Sequence, residues 1–280
     1  MSGLSVVLAT YNEEENLGPC LDSVKDISDE IIVVDGGSSD KTVEIAKKYG
    51  AKVKVTDNPP IFHINKQKAI DLATKDWILQ LDADERVTPE LKKEIKRVIT
   101  KSRGDPSTRP AKRDFAQDDS SDVNGYWIPR KNWFLGRFLM KGGQYPDYTL
   151  RLYRRGKGRL PQKSVHEQAV VEGQVGYLKH PFLHYPYKNF NMYLEKWNRY
   201  TDLISDQLKS ELQNKSLITH FFYMIGYVFI KPNFWFVNTY IRHKGFYDLW
   251  PGFVFSFFSS LRFPVAYIKY LGKSKTGSSV

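Results

Sequence analysis

Residues Trp77–Arg86 read WILQLDADER, and no other stretch limits the possible folds of this chain as tightly. Trp77, Ile78, Leu79 and Leu81 form an apolar run, and Asp82, Asp84 and Glu85 end it. A short apolar run of this kind reads as a buried strand in a sheet covered on both faces. In an open α/β sheet, ligands collect outside the carboxyl ends of the strands. Two aspartates flanking one small residue at such an end suit a hard divalent cation, which takes oxygen ligands and is often shared with substrate phosphates. Read alone, the segment has an alternative, a solvated acidic turn.

The residues before it bear on that choice. Leu4–Thr10 (LSVVLAT), Ile31–Val34 followed by Asp35, and a segment marked by Val53 and Val55 read as three more strands. Between the first two, Leu17, Cys20, Leu21 and Val24 mark one helical face. After the second, Gly36-Gly37-Ser38-Ser39-Asp40 forms a loop. Ser39 or Asp40 is placed to cap a helix over Lys41–Tyr49, and Gly50 closes it. A third helix is expected over Ile64–Ala73, and Thr88-Pro89 starts a fourth that runs to about Thr100. The order β-α-β-α-β-α-β leads to a parallel sheet wound with right-handed crossovers. Thr10-Tyr11, Asp35 and Asp82 then stand at strand ends, where carboxylates accept from base N–H groups or ribose hydroxyls. Neither a G-x-G-x-x-G fingerprint nor a Walker A lysine loop is present, so phosphates need another counter-ion, and a metal on Asp84 would supply it.

VVLATYNEEENL, IIVVDGGSSDKT and WILQLDADERV, in this order and spacing, resemble the signature segments of the family 2 glycosyltransferases. The resemblance covers roughly residues 4–200. It implies the glycosyltransferase A fold, a Rossmann-like, mostly parallel sheet flanked by helices, and inverting transfer from a nucleotide-diphosphate sugar. It implies that Thr10, Tyr11 and Glu13 line the nucleoside pocket and that Asp35 bonds the base, usually uracil. Lys66-Gln67 stands where the family has Arg-Asn, near the donor phosphates. Asp82 is expected on ribose or metal, and Asp84 on Mn²⁺ or Mg²⁺. One departure is Gly36, where many members carry a second Asp after Asp35.

Beyond the fourth helix, Lys101–Val123 is polar and rich in Ser, Asp, Arg and Pro, and reads as a flexible insertion, a plain surface loop or a lid. Order resumes at Gly125–Pro129 (GYWIP). Tyr126, Trp127 and Trp133 are candidates for stacking on sugar faces, with core packing as the alternative, and Trp127, Trp133 and Tyr145 are the acceptor-binding candidates. Tyr148–Arg155 alternates, placing Arg151 either on a donor phosphate or on a solvated strand. His166-Glu167 falls where the resembled family places its base. Glu167 is expected to take the acceptor hydroxyl proton and His166 to orient it, with His166 and Asp147 as the other candidate bases. A strand over Val175–Leu183 leads to His184, a structural histidine or a further metal ligand. Tyr193–Gln213 has an amphipathic helical pattern, and its poor match to Q-x-x-R-W argues against a polymerising enzyme.

The chain divides on this reading into a nucleotide-sugar half (1–100), the insertion (101–123), an acceptor and catalytic half (124–190) and a helical C-terminal region (191–280). Residues 216–280 hold 19 of the 40 aromatic side chains and seven Lys or Arg against one acid, Asp248. Their longest stretch without Lys, Arg, Asp or Glu, Ser216–Ile230, has 15 residues, short of the about 20 that a spanning helix needs. Amphipathic helices lying in the headgroup layer are expected, with packing on the catalytic part as the alternative. The single cysteine, Cys20, excludes an intrachain disulfide, and no basic segment precedes the first apolar run, so no signal peptide is expected.

A net charge of +11 admits nucleic acid, anionic lipid or phosphorylated substrates. Nucleic acid is disfavoured, because the carboxylates at three strand ends would repel phosphate. The expected activity is transfer from a nucleotide sugar, UDP-linked, to a lipid-linked glycan in envelope or lipopolysaccharide-like synthesis at the cytoplasmic face of the inner membrane. Residues Gly125–Tyr200 resemble the lipopolysaccharide-core β-glucosyltransferase-like branch. The alternatives are a polyprenyl-phosphate glycosyltransferase, resembling dolichol-phosphate mannose synthases, and an inactive nucleotide-binding membrane scaffold.

Overall fold

The computed structural model describes residues 3–101, 123–162 and 168–276. The chain falls into two compact units, residues 1–131 with 147–184, and residues 132–146 with 185–280.

In the first unit, β1 (Leu4–Thr10), β2 (Glu30–Asp35), β3 (Lys52–Val55) and β4 (Trp77–Leu81) pair in parallel, in the order β3-β2-β1-β4. Apolar runs rather than alternation specify β1, β2 and β4 because both their faces are buried, whereas the edge strand β3 reads KVKV and is largely exposed. Leu4, Val6, Leu8, Ile31, Val33, Leu79 and Leu81 face α1 (Glu14–Asp22) and α4 (Pro89–Lys101) through Leu17, Leu21, Leu91 and Ile95. Val7, Ile32, Val34 and Ile78 face the other way, onto Ala69 and Ile70 of α3 (His63–Asp71). The helix α2 (Thr42–Lys48) contributes Ala46 to the first face, and Gly50 follows it with φ +72, as a helix stop requires.

Antiparallel strands extend this sheet. Beyond β4 lie β8 (Asp147–Arg154), β6 (Val123–Phe134), β12 (Phe182–His184) and β5 (Glu85–Val87), while β11 (Gln174–Tyr177) pairs with β6 in parallel. A small two-stranded ladder joins β9 (Gly158–Arg159) to β10 (Val170–Val171). The single strand expected over Val175–Leu183 is thus two strands. The three-residue β5, unexpected from sequence, is held by β12 through the pairs Phe182↔Val87 and His184↔Glu85. The insertion expected at 101–123 lies almost entirely outside the described residues.

In the second unit, β7 (Arg137–Leu139) folds back on the end of β6. Leu135 (φ 48) and Gly136 (φ 92) make the tight turn that right-handed strand twist favours. The helix α5 (Phe190–Leu212) is capped by Asn189, whose side chain accepts from the Met192 N–H at 2.9 Å. It packs on α8 (Leu249–Thr276), with Leu208, Leu212, Phe263, Tyr267 and Tyr270 at the contact. Between them run α6 (Leu217–Ile225) and α7 (Lys231–Phe236), joined by the π-helical turn Gly226–Ile230 and followed by another, Val237–Arg242. The C-terminal region is therefore helical, as its amphipathic patterning implies. Among the described residues no helix is long and apolar enough to cross a membrane.

Candidate nucleotide-sugar site

Parallel pairing sets Thr10 directly beside Asp35, and Leu8 beside Leu81, so β1, β2 and β4 all end at one edge of the sheet. Asp35 has no exposed surface. Its Oδ2 accepts from Thr10 Oγ1 at 3.0 Å and Ser38 Oγ at 2.6 Å. Its Oδ1 accepts from the N–H groups of Gly37 (3.0 Å) and Ser38 (2.8 Å). Gly37 turns the chain at φ +81, which no side chain adopts freely. In this arrangement Asp35 shapes the loop after β2, and a base N–H reaches it only if a hydroxyl turns away.

The loops after β1 and β2 are laced together. Asn12, at φ 54, donates its N–H to Ser38 Oγ (2.8 Å) and accepts from the Ser39 N–H (2.9 Å). The Glu13 N–H donates to Thr42 Oγ1 (2.7 Å), and the Glu14 N–H donates to Asp40 Oδ2 (3.0 Å). The Lys41 N–H donates back to Glu14 Oε2 (3.1 Å). Thr10, Tyr11, Glu13 and Asp35 are thus gathered at one rim, with the Tyr11 ring exposed. Sequence reasoning missed Asn12 and Ser38, whose only signal was that polar residues follow each strand.

A pocket of about 240 Å³ opens beside Asp82, lined among others by Phe62, Lys66, Gln80, Arg130, Thr149 and Arg151. Lys66 lies buried on α3, its ammonium paired with Asp82 Oδ1 and lying 4.7 Å from the centre of the Phe62 ring. Arg151 Nη2 donates to Asp82 Oδ2 at 2.5 Å and to Glu85 Oε1 at 3.1 Å. Arg151 is 8% exposed, which removes the solvated-strand alternative. Glu85, with no exposed surface, also accepts from the Asp82 N–H (3.0 Å) and faces Arg130 Nη1 at 3.5 Å. Arg130 in turn donates to Asp147 Oδ2 through Nε (3.0 Å) and Nη2 (2.8 Å). Three cations and three carboxylates thereby form one continuous network. Burial opposes the charge on Asp82, but Arg151 and Lys66 beside it hold its carboxyl well below the usual carboxylate range. Burial likewise opposes the charge on Arg151, and Asp82 and Glu85 raise it above its ordinary value. Asp82 was expected on ribose or metal; here its oxygens serve the two cations. Asp147 is an ion-pair partner of Arg130.

Asp84 points elsewhere. Its Oδ2 lies 3.3 Å from His184 Nε2, both side chains partly exposed. No three His, Cys, Asp or Glu side chains converge on a metal-sized site among the described residues. A carboxylate beside an imidazole nevertheless fits a divalent cation that draws its remaining ligands from substrate phosphate and water. The expected base Glu167 and its neighbour His166 lie outside the described residues. Of the aromatic acceptor candidates, Trp127 stacks on Tyr177 (6.4 Å between centroids), and Trp133 packs edge-on against Phe138 (4.9 Å). Tyr145 precedes Pro146 across a cis bond in the second unit, within the hairpin segment 132–146.

Residues 5–157 match the model of the Glycosyl transferase family 2. The lipopolysaccharide core biosynthesis glycosyltransferase LpsC of Rhizobium meliloti is 28% identical over 273 residues, 92% of this chain and 91% of that one. An uncharacterized glycosyltransferase of Rickettsia typhi, RT0209, is 41% identical over 100 residues, 35% of this chain but only 34% of its own length. Among solved structures, S. aureus TarS 1-349 in complex with UDP aligns over 96% of this chain and 92% of its own, at 15% identity and a TM-score of 0.44.

Proposed function

Since the chain belongs to glycosyl transferase family 2, we propose that it transfers a sugar, with inversion, from a UDP-linked donor to a lipid-linked glycan in the assembly of a lipopolysaccharide-like envelope polymer. The observation that carries this reading is the gathering of Thr10, Asp35 and the Asp82–Asp84 segment at one sheet edge, beside the pocket holding Lys66 and Arg151. The full-length similarity to LpsC supports the glycan acceptor.

Each residue has a stated task. The laced loops carrying Thr10, Tyr11 and Glu13 cradle the nucleoside, and Asp35 keeps their shape and offers its carboxylate to the base. Lys66 and Arg151 stand in the pocket as the cations nearest the donor phosphates, and Asp82 holds both in place or exchanges one for ribose. Asp84, with His184, would hold Mn²⁺ or Mg²⁺, which when bound offsets charge on the diphosphate leaving group. Glu167 takes the proton from the acceptor hydroxyl as that oxygen attacks the anomeric carbon, and His166 orients it. Asp147 is the weaker candidate because Arg130 already occupies it. The aromatic, basic C-terminal region keeps the enzyme on the cytoplasmic face of the membrane, where a lipid-linked acceptor is presented.

The test is a donor screen. UDP- and GDP-sugars are supplied with Mn²⁺ or Mg²⁺ and a lipid-linked acceptor extract or polyprenyl phosphate, and nucleotide release is followed. Turnover with a UDP-sugar and the glycan extract is expected. Asp84→Ala should abolish it, and Glu167→Ala should abolish it while UDP binding survives. UDP binding without turnover by any donor would leave a scaffold, and turnover with polyprenyl phosphate alone would reassign the acceptor.

A further inference from the structure

Asp248 is the one acid in residues 216–280. It is 1% exposed, and its carboxylate accepts from the N–H groups of Met140 (2.9 Å) and Lys141 (2.7 Å), with Arg137 Nη2 at 3.7 Å. The negative charge of this region is therefore withdrawn from the surface. Around it stand Phe246 (42% exposed), Tyr247 (59%), Leu249 (65%) and Trp250 (61%). Centroid spacings of 4.8 to 6.1 Å run in relay from Tyr247 to Phe246, Tyr240, Phe253 and Phe257, so these rings form one connected row, with Leu249 and Trp250 following Tyr247 in sequence. Arg242, at the end of the π-helical turn, and Lys244, just after it, lie exposed ahead of Phe246 in the chain. Leu249 sits at φ 56, ψ −143, a conformation natural to glycine, with its side chain largely in solvent. An apolar side chain kept there at a conformational cost, with little in the chain to pack on, points to an external partner.

We propose that residues Arg242–Phe257 form a wedge that enters the headgroup layer of an anionic bilayer, with Phe246, Leu249 and Trp250 leading and Arg242 and Lys244 on the lipid phosphates. This deepens the membrane-bound reading given above and rests on it for the choice of bilayer. Trp and Tyr favour the water–lipid boundary, and anionic lipid draws Lys and Arg toward it. A second copy of the chain is a poorer occupant, because a contact centred on this patch would bring together two sets of Arg242 and Lys244 while Asp248, the one acid of the region, is buried.

The experiment is flotation of the full chain with phosphatidylcholine vesicles, with and without phosphatidylglycerol, together with quenching of Trp emission by brominated lipid. Flotation dependent on phosphatidylglycerol and quenching lost in Trp250→Phe are expected. The pair Phe246→Ser and Trp250→Ser should lower partitioning at least about tenfold, and Lys244→Glu about fivefold or more. Leu249→Gly relieves the backbone and should keep or raise Tm while weakening partitioning, a combination that a folding role for Leu249 does not give. Absence of flotation, flotation unchanged by these variants, or a lipid-free dimer that the variants dissociate would overturn the proposal. UDP binding is measured on the same variants without lipid. Its retention beside failed flotation removes the wedge alone, and its absence from the parent chain removes the transferase reading alone.

Discussion

Glu85→Gln is the sharpest probe of the charge network beside the pocket. Glu85 is buried without exposed surface; its Oε2 accepts from the Asp82 N–H, while Oε1 accepts from Arg151 and faces Arg130. A carboxylate serves donors on both sides. An amide has one oxygen, so whichever way Gln turns, its NH₂ meets a donor. Charge-assisted hydrogen bonds contribute about 1.5–3 kcal/mol each. Removing one member of a buried ion pair costs about 3–5 kcal/mol, since the partner stays buried and uncompensated. The expected loss is about 4 kcal/mol, which for a chain of this size lowers Tm by about 8–16 °C. Urea and thermal unfolding followed by circular dichroism measure it. The control is Glu172→Gln, whose partner Lys157 lies 3.6 Å away with both side chains largely exposed; that change should cost less than about 0.5 kcal/mol. A Glu85→Gln protein within about 1 kcal/mol of the parent would refute the claim that the carboxylate is saturated from both sides.

Other perturbations test separate parts of the molecule. Glu30 accepts from Ser5, Lys52 and Thr74; burial opposes its charge, but these partners lower its pKa to about 2. Its contribution is then complete above the ordinary value of 4.5 and disappears as pH falls toward 2. The ceiling is about 3 kcal/mol, reduced because the Lys52 end is open to solvent, and acid titration of stability in Glu30→Gln should show a shallower loss through that window. Lys66→Met should raise the donor KM about tenfold, the worth of one charge-assisted bond, in steady-state kinetics. Asp84→Asn and His184→Gln should each weaken Mn²⁺ binding, measured by calorimetry with UDP present, and lower turnover at least about a hundredfold for Asp84→Asn. Gly158→Ala should destabilise by about 1–3 kcal/mol in urea, because the new methyl would clash with Cδ2 of the Tyr153 ring, which has no exposed surface.

Three of the four parallel strands were legible because β1, β2 and β4 are apolar on both faces and run into polar or acidic residues, while the exposed edge strand β3 showed only through Val53 and Val55. The crossover helices were legible within about two residues from apolar spacing and the Gly50 stop, although Lys41 rather than Ser39 or Asp40 takes the N-cap of α2, while Asp40 accepts from the Thr42 N–H. The short strand Glu85–Val87 was not, since three residues carry no period and its partner Phe182–His184 lies far along the chain. For the same reason Glu85 read as the tail of an acidic turn; its burial depends on Arg151, 66 residues away. Alternation left Arg151 undecided between phosphate and solvent, and only the β4–β8 pairing fixes it beside Asp82. Asp35 stands at the strand end where its sequence places it, but its four internal hydrogen bonds, two from hydroxyls and two from backbone N–H groups of the turn, follow from no spacing rule.

The bonds joining Asn12, Glu13 and Glu14 to Ser38, Ser39, Asp40, Lys41 and Thr42 carry a lesson for redesign. Residues 11–14 and 36–42 exchange their donors and acceptors reciprocally, so a graft that replaces one segment strands the polar groups of the other. A transplant of either segment alone is set to fail on foldability, so the two loops form one exchangeable unit, and natural variation at one position should be matched by variation across the seam.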